Sequence, residues 1–95
     1  MGYDSTNRGK QNVMATVLQS GGFDFVIYSN DHQPSHVHVF KGDTEFIINI
    51  GDESTKPKVR ESYRAKKTDF KKVLKIVADN QIFLLEKWRK IHGQE

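Results

Sequence analysis

The chain has no cysteine. That removes a disulfide framework, a thiolate nucleophile and any cysteine-based zinc site, and it fits a reducing compartment. Apolar runs are short, and none approaches the ~20 residues that span a bilayer. Residues 1–12 (MGYDSTNRGKQN) are polar and lack the apolar centre of a signal peptide. Met1-Gly2-x-x-x-Thr6 fits a myristoylation pattern only loosely, and patterns that short recur by chance. The expectation is a cytoplasmic protein with no membrane association. Gly-rich phosphate loops, a nucleophile elbow and a paired-carboxylate signature are also missing, so several enzyme classes lose their usual marks.

What is present, at 95 residues, is enough chain for one domain. The formal net charge is +3, and it is unevenly spread. Between residues 21 and 53, Asp24, Asp31, Asp43, Glu45, Asp52 and Glu53 face only Lys41. Between residues 56 and 75, nine Lys and Arg residues face Glu61 and Asp69. Such asymmetry marks either a nucleic-acid or acidic-partner surface, or two halves of one solvated surface that attract each other.

Residues 1–12 read as a disordered leader and residues 13–93 as one α+β domain. Met14 is an alternative start to Met1. A β-prone run over 13–18 ends at the turn signal Gln19-Ser20-Gly21-Gly22. Alternation over 23–29 places Phe23, Phe25 and Ile27 on one strand face and Asp24, Val26 and Tyr28 on the other. In residues 36–41, Val37 and Val39 oppose His36, His38 and Phe40. Gly42-Asp43 is a two-residue hairpin turn returning through Thr44 to Ile50. Residues 59–63 read as irregular chain or a short edge strand. The expected sheet is an antiparallel meander of three to four strands.

Downstream the apolar period lengthens. Phe70, Val73, Leu74 and Val77 form a helical stripe, with Thr68 as N-cap and Asp69 in the first turn. Asp79-Asn80 interrupts it, and Leu84, Leu85, Trp88 and Ile91 resume it until Gly93. The tail is one bent helix or two short ones, with Leu85 and Trp88 facing the core.

The chemistry concentrates in Asp31-His32-Gln33-Pro34-Ser35-His36-Val37-His38. His36 and His38 share a strand face at roughly 6.5–7 Å between Cβ atoms. Three uses are open. The pair is structural, or it supplies a general acid and base near neutral pH, or it binds a metal with Asp31 or His32 as third ligand. No clear fourth ligand stands elsewhere, so no metal or cofactor is assigned. For acid–base cleavage of RNA, Arg64, Lys66 or Lys67 would hold phosphate and Tyr63 would stack on a base. His92, at a helix end, is assigned no function.

The order of an aromatic-rich strand, Asn30-Asp31-His32-x-Pro34-x-His36-Val37-His38-Val39, Gly42 and a β-return, then Leu84-Leu85-x-x-Trp88-x-x-x-His92-Gly93, resembles domain-of-unknown-function family 4160. The resemblance covers about residues 23–93. The family more often has Pro-Pro before the histidine, where this chain has Pro34-Ser35, a departure that alters the turn rather than the histidines. The resemblance implies a small bacterial protein without an established activity, encoded beside another small protein in the manner of toxin–antitoxin pairs. The leading expectation is therefore a non-catalytic module that binds such a partner. The alternatives are a metal-independent ribonuclease toxin using His36 and His38, and a plain RNA- or DNA-binding domain. Apolar residues on both faces of 23–29 point to a homodimer.

Overall fold

The computed structural model describes residues 14–93, so the expected leader over 1–12 lies outside the described residues. Five strands come first: β1 (Met14–Ser20), β2 (Phe23–Tyr28), β3 (His36–Lys41), β4 (Thr44–Asn49) and β5 (Lys58–Tyr63). Two helices follow, α1 (Lys67–Asp79) and α2 (Gln81–Ile91). The sheet order is β1-β2-β3-β4-β5 with every neighbour antiparallel. It is a meander of five strands, not three to four. The extra strand is β5, in which only Val59 is half-buried and the rest is exposed. An edge strand with so little burial has no apolar alternation to reveal it.

Alternation sorts the two sheet faces. Phe23, Phe25 and Ile27 of β2, Val37 and Val39 of β3, and Phe46 and Ile48 of β4 are buried with Val73, Val77, Leu84 and Trp88 of the helices. Each such side chain contributes roughly 1.5–3 kcal/mol by leaving water. Phe70 meets Phe46 edge-on at 5.0 Å between ring centroids, which docks the start of α1 on this face. Across the other face, Val26, His38, Ile47 and Glu61 stand in one cross-strand row, and Asp24, Phe40, Glu45 and Tyr63 in the next.

The helix ends differ from the expected capping. α1 begins at Lys67 behind Lys66, with no side-chain cap, so Thr68 lies inside the first turn. Asn80 stands at both the end of α1 and the start of α2, and its side chain serves the first: Nδ2 donates to Ile76 O at 2.8 Å, with no side-chain cap on α2. The helices are thus two separate ones. Gly93, at φ 70°, ends α2 as expected.

The start of α2 is pinned to the β4–β5 loop. Gln81 Nε2 donates to Ile50 O (2.9 Å) and Thr55 O (3.1 Å). Gly51 lets that loop turn at φ 77°, and a Cβ there would run into the Thr55 carbonyl oxygen. Gly42 also has positive φ, 58°, but an added Cβ meets nothing within 4 Å. Gly42→Ala should therefore cost about 1–2 kcal/mol, the left-handed penalty alone. Gly51→Ala should cost a further ~1–3 kcal/mol from crowding. Urea denaturation of the two variants measures the difference directly, and equal costs would contradict this placement of the loop.

Candidate functional site

Three chain segments meet at one end of the sheet. β2 ends there and turns through Asp31, whose N–H donates to Tyr28 O at 3.2 Å. The loop passes the cis Gln33–Pro34 peptide, and β3 then starts at His36. The far half of α2 crosses the same end. Trp88 packs on the His36 ring at 5.2 Å between centroids. His92 stacks on Trp88 at 3.8 Å, and its ring nitrogens lie 2.8 Å from Trp88 O and 3.0 Å from Asp31 O.

Within this frame Asp31, His36 and His38 converge. Asp31 Oδ2 lies 3.2 Å from His36 Nε2 and 3.3 Å from His38 Nε2. These are ion-pair distances, yet neither approach has hydrogen-bond geometry. Asp31 Oδ2 and His38 Nε2 are both buried without a hydrogen bond among the described residues.

The outer nitrogens are differently placed. His36 Nδ1 lies 2.9 Å from Pro34 O, a contact that only an N–H can make favourably. Arg60 Nη2 also reaches His36 Nδ1, but at 3.4 Å; the shorter carbonyl contact decides the tautomer. Arg60 is itself held by Asn49 Oδ1, at 3.0 Å from Nε and 2.8 Å from Nη2. His38 Nδ1 lies 3.2 Å from Glu45 Oε2, which again calls for an N–H. Both imidazoles thus carry their proton on Nδ1 and turn a lone pair toward the Asp31 carboxylate.

Burial pushes His36 below the ordinary histidine pKa, partly opposed by the Pro34 carbonyl and Asp31, with Arg60 and His38 adding to the lowering. Tyr28, edge-on to His38 at 4.7 Å, is pushed up by burial and then by Glu45 and Asp31.

Of the residues singled out in the sequence, Asp31, His36 and His38 are brought together. His32 is exposed and lines a shallow depression with Asp31, Trp88 and His92. Tyr63, Arg64, Lys66 and Lys67 gather elsewhere. Thr44 Oγ1 donates to Arg64 O at 2.8 Å, and Thr44 lies at the far end of β4 from Asn49, the partner of His36. At ~3.4 Å per residue these cations stand roughly 10–17 Å along the strands from the two histidines. Arg60, Glu45 and His92 are the neighbours that sequence reading missed. Glu45 was recoverable, because a two-residue turn at Gly42-Asp43 sets it one row from His38 on the same face. His92 stood in the family pattern, but its contact with Asp31, spanning 61 residues, had no local signal.

A five-stranded meander backed by two helices, with an Asp–His–His cluster where β2, β3 and α2 meet, defines a small α+β protein built around that junction. Its family is settled by comparison: residues 22–89 match the model of Domain of unknown function (DUF4160), and the chain belongs to that family. Neither the curated proteins nor the solved structures contain a match.

The tautomer assignment has a direct check. In chelator, long-range 15N–1H spectra should show a proton on Nδ1 of both His36 and His38, and an Nδ1 without its proton at either ring would refute it. His36 should protonate below the ordinary value of 6.5. As pH falls from about 6.5, the unfolded chain takes up that proton first. Stability of the metal-free protein should therefore fall through this window, down to the lower folded-state pKa, as read by urea midpoints.

Proposed function

We propose that this chain is a non-catalytic protein-interaction module, one component of a toxin–antitoxin-like pair in the bacterial cytoplasm. It seats a small partner protein on the sheet face opposite the helices. The supporting observation is the character of that face. Tyr28, Phe40 and Ile47 are half-buried on it, and Met14 and Tyr63 are exposed at 57% and 50%. Among the described residues no helix packs over these side chains. An aromatic and apolar sheet surface of this kind suits burial by a partner. Its charges are mixed, Asp24, Glu45 and Glu61 against Lys58 and Arg60 at the β3 start, so the matching surface is apolar with a rim that is basic opposite the three carboxylates.

The product of the adjacent gene is the partner to test. Co-expressed chains should elute together in size-exclusion chromatography at micromolar concentration. Ile47→Lys, which sets a cation amid the row His38–Ile47–Glu61, should weaken the complex at least ~30-fold, the scale of a 2 kcal/mol hot spot. Ile82→Ala, exposed on α2, should leave it unchanged. Separate elution of the two wild-type chains would overturn the reading, and a larger species formed by this chain alone would identify a second copy as the occupant.

The ribonuclease alternative has less support, since the histidine lone pairs face Asp31 and the expected phosphate-binding cations lie at the other end of the sheet. A nucleic-acid-binding reading draws on one observation. Tyr63, Arg64, Lys66 and Lys67 are all exposed at the β5–α1 junction, with Lys71, Lys72 and Lys75 exposed further along α1. On that reading, RNA affinity falls log-linearly with salt, and Lys66→Ala/Lys67→Ala lowers the slope by roughly 2. A salt-independent affinity would dismiss it.

A further inference from the structure

The geometry points to a divalent transition-metal site, of the zinc class, formed by Asp31 Oδ2, His36 Nε2 and His38 Nε2, that ties the β2–β3 loop to the sheet. The three atoms lie within 4.8 Å of one another, and the proton of each imidazole is on the far nitrogen, facing Pro34 O and Glu45 Oε2. A carboxylate oxygen and two imidazole nitrogens therefore point electron density at a common space with no hydrogen between them. Among the described residues Asp31 Oδ2 and His38 Nε2 are buried there without a hydrogen bond. Buried acceptors facing one another repel, and each is destabilising while unsatisfied. A cation among them turns all three contacts favourable.

The spacing fits. Ligand atoms bound at ~2.0–2.2 Å around a tetrahedral ion stand about 3.3–3.6 Å apart. The two edges on Asp31 measure 3.2 and 3.3 Å. The third edge, between the imidazoles, lies within 4.8 Å. Two nitrogens and one oxygen suit zinc and its first-row neighbours better than calcium or magnesium, which take oxygen ligands.

The surroundings match what metal-bound histidines require. Each ligand histidine should donate its other N–H to a carbonyl or carboxylate that fixes ring and tautomer; Pro34 and Glu45 do so here. Asp31 is fixed through its own backbone, by Tyr28 O on its N–H and by His92 against its carbonyl. Asp31 and Glu45 supply two negative charges within the cluster for a dication, against the one positive charge of Arg60 on the outer side of His36. The remaining coordination position falls to water or to a side chain of a bound partner.

The test uses the full-length, untagged chain, stripped with chelator and titrated with Zn2+ or Co2+. One ion per chain should bind with Kd below about 1 μM, and the melting temperature should rise with metal concentration. The 15N signals of His36 and His38 Nε2 should shift while their Nδ1–H groups persist. Asp31→Asn keeps the shape and removes the charge, and should weaken binding at least ~100-fold. Glu45→Gln, a positioning residue, should weaken it ~10–100-fold. His32→Ala should bind as wild type. Circular dichroism of each variant separates lost binding from lost fold, and Glu45→Gln covers the case in which Asp31→Asn fails to fold. Absence of 1:1 binding at tens of micromolar, equal affinity in folded Asp31→Asn, or shifts confined to His32 or His92 would each overturn the proposal.

Discussion

The burial of Val37 and Val39 beneath the helices governs the rest of this structure. Both are fully enclosed, and the strand's two-residue period then leaves their neighbours His36 and His38 no choice of face. A one-residue slip in the β3–β4 pairing would put two imidazoles into the core beside Phe46 and Ile48, and two valines into water. The hairpin turn at Gly42-Asp43 and the core thus enforce the same register. The histidine pair is a by-product of that constraint, since no contact between the rings themselves is needed to align them. Glu45 is aligned by the same register, which is how a carboxylate comes to sit behind His38.

A shared strand face alone would leave the histidines half in water. α2 alters this at one of them. Gln81 fixes the start of the helix beside Ile50, and His92 fixes its end against the Asp31 carbonyl, so the helix spans the sheet end and brings Trp88 onto His36. His36 is consequently 4% exposed, and its charged form is disfavoured by lost hydration. The helix that closes the core therefore also fixes the loop that carries Asp31.

Residues whose burial is one-sided and periodic were legible in the sequence. The face assignments of β2, β3 and β4, the two apolar stripes of the tail and the core position of Trp88 all follow from periods of two and 3.6. β5 was obscured because an edge strand flanked by solvent buries almost nothing, and five of its six residues are exposed. The helix boundary was misplaced for a related reason: Thr68 is a good cap by residue type, but packing of Phe70 against Phe46 sets where α1 begins. At the site, adjacency in sequence was informative for Asp31, His36 and His38. It misled for Arg64, Lys66 and Lys67, where β5 carries the chain to the opposite end of the sheet. Arg60, six residues before Lys66, is the cation that reaches His36.

Charge segregation along the chain is kept in space except where β5 brings Arg60 against His36, and that pattern links the two proposed roles. The acidic stretch forms β2 to β4 and their loops, and the basic stretch forms β5 and α1. Asp31 and Glu45 face the two imidazoles from the inner side and from β4, while Arg60 reaches only the outer nitrogen of His36, so a cation is attracted to the inner space over a longer range than the ligand bonds themselves. The same strands present Phe40 and Ile47, so an ion that stiffens the β2–β3 loop would also steady the rows beside His38. Loop order and partner binding would then be coupled through the ion, because a partner gains affinity from a surface that no longer has to be ordered on contact. The coupling is reciprocal: a partner that favours the ordered loop also tightens the hold on the ion.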